Sequence, residues 1–134
     1  MQIGALKTND SMAILQRCSL GRLGCVDNDA PYVVPVHYFF DGQDIYIHSL
    51  PGRKIDAMRA NSHVCLQVDE IRDAFHWKSV IAFGSYEEIS DEGRREEMLG
   101  KLLSRLPHMT PVESEMCEGL NEAILFRIKI AAIT

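Results

Sequence analysis

Val64, Leu66 and Val68 alternate with His63, Cys65 and Gln67, the period of two that turns one face of a strand inward. A longer apolar alternation runs from Ser79 to Ile89. A third sets Ile124, Phe126, Ile128 and Ile130 against Leu125, Arg127 and Lys129, a closing strand with one buried face. Pro31 to Phe40 is rich in β-branched and aromatic residues, and Asp41-Gly42 followed by Ile45-Tyr46-Ile47-His48 completes a hairpin pattern. Leu23 to Val26 reads as a shorter strand that Asp27-Asn28-Asp29 stops. The period lengthens in three places. Asn9-Asp10-Ser11 caps a short helix through Cys18 with Met12, Leu15 and Ile14 inward, and Pro51-Gly52 ends a strand before a helix over Arg53 to Asn61. Ser90-Asp91-Glu92 starts another, whose stripe of Met98, Leu99, Leu102, Leu103 and Leu106 runs to Pro107. His108 to Gly119 receives no assignment.

Five or six strands and two or three helices in this order lack the regular βα alternation of a doubly wound parallel sheet, so the strands are expected to be largely antiparallel. Closure into a barrel, preferred here over a sandwich, removes exposed edges. No repeat or low-complexity linker divides the chain, and 134 residues predict one domain over 1–134. With 46% hydrophobic and 25% charged residues the chain has the composition of a folding domain, long enough for a core without disulfide or metal staples.

Charge narrows the partners. Nineteen acidic residues against fourteen Lys and Arg give a net charge of −5, which argues against a broad nucleic-acid surface. Cys18, Cys25, Cys65 and Cys117 form no CxxC pair, and the five histidines form no HExxH, so no metal site is expected and the thiols read as reduced. The opening MQIGALKTND meets Lys7, Asn9 and Asp10 before any long apolar run, so neither a signal peptide nor a membrane span is expected and a cytoplasmic location is. GxSxG, GxxxxGK[ST] and GxGxxG are all absent from the sequence.

The chemistry concentrates in His48-Ser49-Leu50-Pro51-Gly52-Arg53-Lys54, where two cations open a helix. A helix N-terminus carries about half a positive charge, so a cation there loses roughly 0.3 to 1 kcal/mol. A bound phosphate would reverse that sign, because backbone N–H groups, the dipole and both side chains would meet one anion. The alternative is two solvated side chains turned away, with Asp56 softening the field. Upstream, Pro35-Val36-His37-Tyr38 and Ile47-His48-Ser49 lie on strands leading to this turn and suit a flat aromatic ligand, with strand-edge backbone for its polar rim. His37 and His48 are either proton donors to such a ligand or half-buried strand residues satisfied by backbone.

Gly21-Arg22-Leu23, the run PYVVPVHYFFDGQDIYIHSLPGRKIDAMRANSHVCLQVD, Trp77-Lys78-Ser79-Val80 and Gly84 together resemble the FMN-binding split-barrel proteins related to pyridoxamine 5'-phosphate oxidase, and among them the nitroimidazole-resistance branch. The resemblance implies a mainly β fold, a six-stranded antiparallel split β-barrel that pairs as a homodimer with FMN at the subunit interface. It implies that Arg53 and Lys54 hold the FMN phosphate with Ser49 or its neighbours donating from the loop. Val34, Pro35, Val36 and His37 would border the isoalloxazine along one strand, and Ile47 and His48 along the next. Ser79 takes the place of a flavin-contacting Gln of the oxidases, and Trp77 stacks or packs nearby. Tyr32 and His37 stand where the oxidases carry cations. The closing Phe126 to Thr134 lacks their Arg/His-rich substrate motif, which disfavours pyridoxamine phosphate oxidation.

The function expected is that of an FMN-dependent oxidoreductase passing electrons from a reduced nicotinamide to a small electrophile such as a nitro-aromatic compound, with His37 and His48 as candidate catalytic residues. The alternatives are a non-catalytic flavin- or haem-binding protein on the same barrel, or a pyridoxamine 5'-phosphate oxidase-like enzyme.

Overall fold

The structure is a computed structural model that describes residues 8–104 and 123–134. The elements are α1 (Thr8–Arg17), β1 (Leu20–Asp27), β2 (Ala30–His37), β3 (Phe39–Phe40), β4 (Ile45–Ser49), α2 (Arg53–Ala60), β5 (His63–Asp73), β6 (His76–Glu88), α3 (Glu92–Ser104) and β7 (Ile124–Ile133). The end of the predicted helical stripe at Leu106 and the unassigned His108 to Gly119 lie outside the described residues. No described helix is long and apolar enough to cross a membrane.

The seven strands of the described residues join one antiparallel sheet in the order β2-β1-β5-β6-β7-β4-β3. The sheet curls without closing, a mainly β split barrel. Its core gathers Leu23, Val36, Ile45, Ile47, Leu66, Val68, Val80, Phe126 and Ile128, with Ile14 and Leu15 of α1 and Ile55 and Met58 of α2 packed in.

The expected count of six strands becomes seven because the run from Pro31 to Phe40 breaks at Tyr38. The Tyr38 N–H donates to the Ser19 carbonyl, and its buried hydroxyl donates to the Leu15 carbonyl at 2.8 Å, near the end of α1. The expected hairpin is corrected as well. Only Phe39 and Phe40 pair with β4, whereas β2 pairs along its whole length with β1. The β1–β2 turn is made by Asn28 and Asp29, both at positive φ (49° and 66°), as a two-residue hairpin that follows the strand twist requires. The second turn uses Gly42 at φ 95°, with the Asp41 carboxylate accepting from the Gln43 and Asp44 N–H groups. The strands bearing His37 and His48 therefore lie toward opposite ends of the sheet, and the chain crosses the seam of the barrel between them.

Candidate functional site

At that seam lies a groove of about 360 Å³. Tyr32 and Val34 of β2 form one wall, His48 and Ser49 of β4 the other, and Leu50 to Lys54 the end, with Ala123 completing it. Helix α2 begins here because Pro51-Gly52 terminates β4 and because Ile55, Ala57 and Met58 have an apolar face to bury. Its first turn carries no side-chain cap; Gly52 supplies only the carbonyl that receives the Asp56 N–H. A side chain at Gly52 would meet nothing within 4 Å.

The two cations behave differently. Arg53 is exposed, its Nε donating to the Asp27 carboxylate at 2.5 Å and its guanidinium lying 4.8 Å from the centre of the Tyr32 ring. Asp27 raises the guanidinium pKa further above its ordinary value. Lys54 is half-buried and has no ion-pair partner among the described residues. Burial pushes its pKa down, and Cys25 opposes that only in part. Lys54 thus places a poorly solvated ammonium at a helix start without a side-chain cap, an arrangement that a phosphate group fits.

His48 is half-buried, and its Nδ1 is buried without a hydrogen-bond partner among the described residues; the same holds for Nδ1 of His37. A buried polar atom left unpaired is costly unless something arrives to pair with it. Burial, then Lys54, then His37 hold the His48 pKa below the ordinary 6.5, so the ring stands neutral at pH 7. A depressed folded-state value means that the unfolded chain takes up the proton first as pH falls. The contribution of neutral His48 is therefore complete above about pH 6.5 and is lost as acidity passes from there to the lower folded-state value. Urea unfolding at pH 7.5 and 5.5 should show His48→Gln losing less stability between the two than the parent protein; an equal loss would remove His48 as the source.

The remaining residues singled out in the sequence divide into two groups. Val36 and Ile47 turn their side chains into the core, leaving backbone as all they can offer a ligand, while Pro35 is exposed. β2 ends the sheet, so half of its backbone groups lie outside the ladder, as the flat-ligand reading needs. Ser49 is buried and its hydroxyl donates to the Leu50 carbonyl at 2.9 Å, which commits the proton expected for a phosphate. Trp77 and Ser79 do not line the groove. They sit toward the β5–β6 turn, where Trp77 pairs with Ile71 and is 41% exposed, and where Ser79 accepts a hydrogen bond from Gln67. Leu50 and Pro51, within the run singled out in the sequence but given no role there, form the end of the groove with Gly52 and the cations. Sequence reasoning missed Asp27, whose bond to Arg53 spans 26 residues and leaves no local signal.

The family model described as pyridoxamine 5'-phosphate oxidase matches residues 7–134. An uncharacterized protein of Rhizobium meliloti is 32% identical over 143 residues, covering 100% of this chain and 94% of its own length. The crystal structure of a FAD-binding protein from Mesorhizobium loti is 32% identical with a TM-score of 0.78, over 96% of this chain and 92% of that one. A candidate 5-nitroimidazole antibiotic resistance protein from Bacteroides thetaiotaomicron shares the fold, with a TM-score of 0.80 at 17% identity over 98% and 84% of the two chains.

Proposed function

Because the chain belongs to the pyridoxamine 5'-phosphate oxidase family, we propose that it is a flavin-dependent oxidoreductase whose groove at the barrel seam holds the cofactor. The observation that carries this reading is Lys54, half-buried and without an ion-pair partner among the described residues, at an uncapped helix start that opens on the groove. A bound flavin supplies reversible two-electron chemistry, accepting hydride from a reduced nicotinamide and returning electrons to an acceptor. FMN is the smallest flavin nucleotide that brings a phosphate to Lys54. Val34 and the edge backbone of β2 would flank the ring, and His48, kept neutral, would line the opposite wall. A nitro-aromatic acceptor would fit the same logic, since its flat ring could stack on a bound flavin. Two electrons and two protons convert the nitro group to nitroso and water.

We further propose that the protein works as a homodimer. Val33, Gly24, Cys65 and Phe83 stand in register across four neighbouring strands, with Val33 64% and Phe83 44% exposed. They line an open apolar groove of about 380 Å³, the kind of surface that an isologous contact covers. One preparation tests both readings. It should show flavin absorbance after incubation with flavin nucleotide, oxidise reduced nicotinamide only when a nitroimidazole or related acceptor is present, and sediment at twice 15.1 kDa. A colourless protein after incubation would end the flavin reading, coloured protein without turnover would leave a carrier, and a monomer would end the dimer.

A further inference from the structure

The two walls of the seam groove come from strands that the sheet does not pair. β2 ends the sheet on one side and β4 lies next to its other end, so no ladder of backbone hydrogen bonds joins them among the described residues. Ile55 and Met58 fix the body of α2 in the core, but Leu50, Pro51 and Gly52, which lead into it, are exposed. The side chain that spans the gap here is Arg53. Its Nε donates to the carboxylate of Asp27, the last residue of β1, and its guanidinium lies 4.8 Å from the centre of the Tyr32 ring on β2. Among the described residues this is the one ion pair between α2 and the β1–β2 hairpin.

Both contacts suit a tie better than an anion receptor. Asp27 pairs with Ala30 to close a two-residue turn and its side chain is only 19% exposed, whereas the Arg53 side chain is 69% exposed. The carboxylate is therefore the fixed anchor and the guanidinium the arm that reaches it. A planar guanidinium can give its edge to a carboxylate and its face to a ring, and Arg53 grips two residues of one hairpin in this way. Its charge is matched by Asp27, while Lys54, the next residue, has no such partner among the described residues. Exposed contacts of this kind are individually weak, so the tie sets a spacing without locking it.

We propose that Arg53 is a positioning residue, a strap that ties the start of α2 to the β1–β2 hairpin and sets the width of the seam groove, leaving the phosphate of a ligand to Lys54. Its effect on ligands rests on the flavin reading above; the tie itself does not. Riboflavin, which has the flavin ring and no phosphate, separates a strap from a phosphate ligand. In fluorescence-quenching titrations of flavin-free protein, Arg53→Gln and Asp27→Asn should each weaken riboflavin about fivefold, and the double variant should bind it no worse than either single one, because both cut the same tie. Lys54→Gln should leave riboflavin unchanged and weaken FMN about tenfold. Amide hydrogen exchange of the flavin-free protein should be faster over Ala30–His37 in Arg53→Gln and in Asp27→Asn, and unchanged in Lys54→Gln. Arg53→Gln that weakens FMN and spares riboflavin, or Asp27→Asn that tightens FMN and spares riboflavin, would make Arg53 a second phosphate ligand and overturn the strap. Exchange over β2 equal to the parent in both variants would overturn it too. If no flavin binds, the flavin reading falls and the exchange measurement alone decides the strap.

Discussion

Replacing Lys54 by glutamate is expected to raise the Kd for a flavin nucleotide by more than a hundredfold while the protein melts within a few degrees of the parent. The substitution removes a charge-assisted contact of about 1.5–3 kcal/mol and adds repulsion between two anions at the same uncapped helix start. Together these exceed about 3 kcal/mol, over two decades in affinity. The fold should tolerate the change because Lys54 has no ion pair among the described residues to lose and because Ile55 and Met58, not Lys54, anchor α2 in the core. Lys54→Gln should fall between the two. Absorbance after gel filtration reads the first quantity and a thermal melt the second. A glutamate variant that keeps its colour would remove the phosphate from α2.

A larger effect on stability is expected at Gly84. β6 and β7 shift register between Phe83 and Gly84, and there a methyl group on Gly84 would overlap the Lys129 carbonyl oxygen and crowd Ile128. The obstacle is backbone in a paired strand, which cannot swing aside as a flexible side chain can. Gly84→Ala should therefore destabilise the protein by about 3 kcal/mol, the upper part of the range for overpacking, and lower Tm by roughly 10 °C. Gly100 in α3 supplies the contrast. Nothing lies within 4 Å of an added methyl there, so Gly100→Ala should stabilise by about 0.5–1 kcal/mol through the unfolded chain. Paired denaturation curves decide the matter, and a neutral Gly84→Ala would show that the two strands can part at that point.

The contrast between Lys54 and Gly84 also marks where the sequence is readable. Two cations at a helix start break a local electrostatic rule, and such a break is visible within three residues. The alternation of Val64, Leu66 and Val68, and that of Ile124 to Ile130, likewise announces strands through a period that the backbone itself imposes. The contact at Gly84 is set by a strand 45 positions further on, and a glycine there looks like any other. Tyr38 shows the same limit, since its apolar neighbours continue the strand pattern and only its bonds to Ser19 and Leu15 interrupt it. Because that interruption was invisible, β2 was expected to pair with β4, and the groove was expected between adjacent strands instead of across a seam. Arg53 and Lys54 were read as equivalent for a similar reason: Asp27 separates their roles from a different hairpin.

The place of β7 in the sheet has a consequence for biosynthesis. β4 holds to the rest of the sheet through β7, Ile45 opposite Ile128 and Ser49 opposite Ile124, and β3 in turn holds to β4. A nascent chain that has emerged from the ribosome only as far as α3 therefore lacks the strand that ties the wall carrying His48 to the rest of the sheet. The groove between β2 and β4 is therefore completed only when the last strand has been translated.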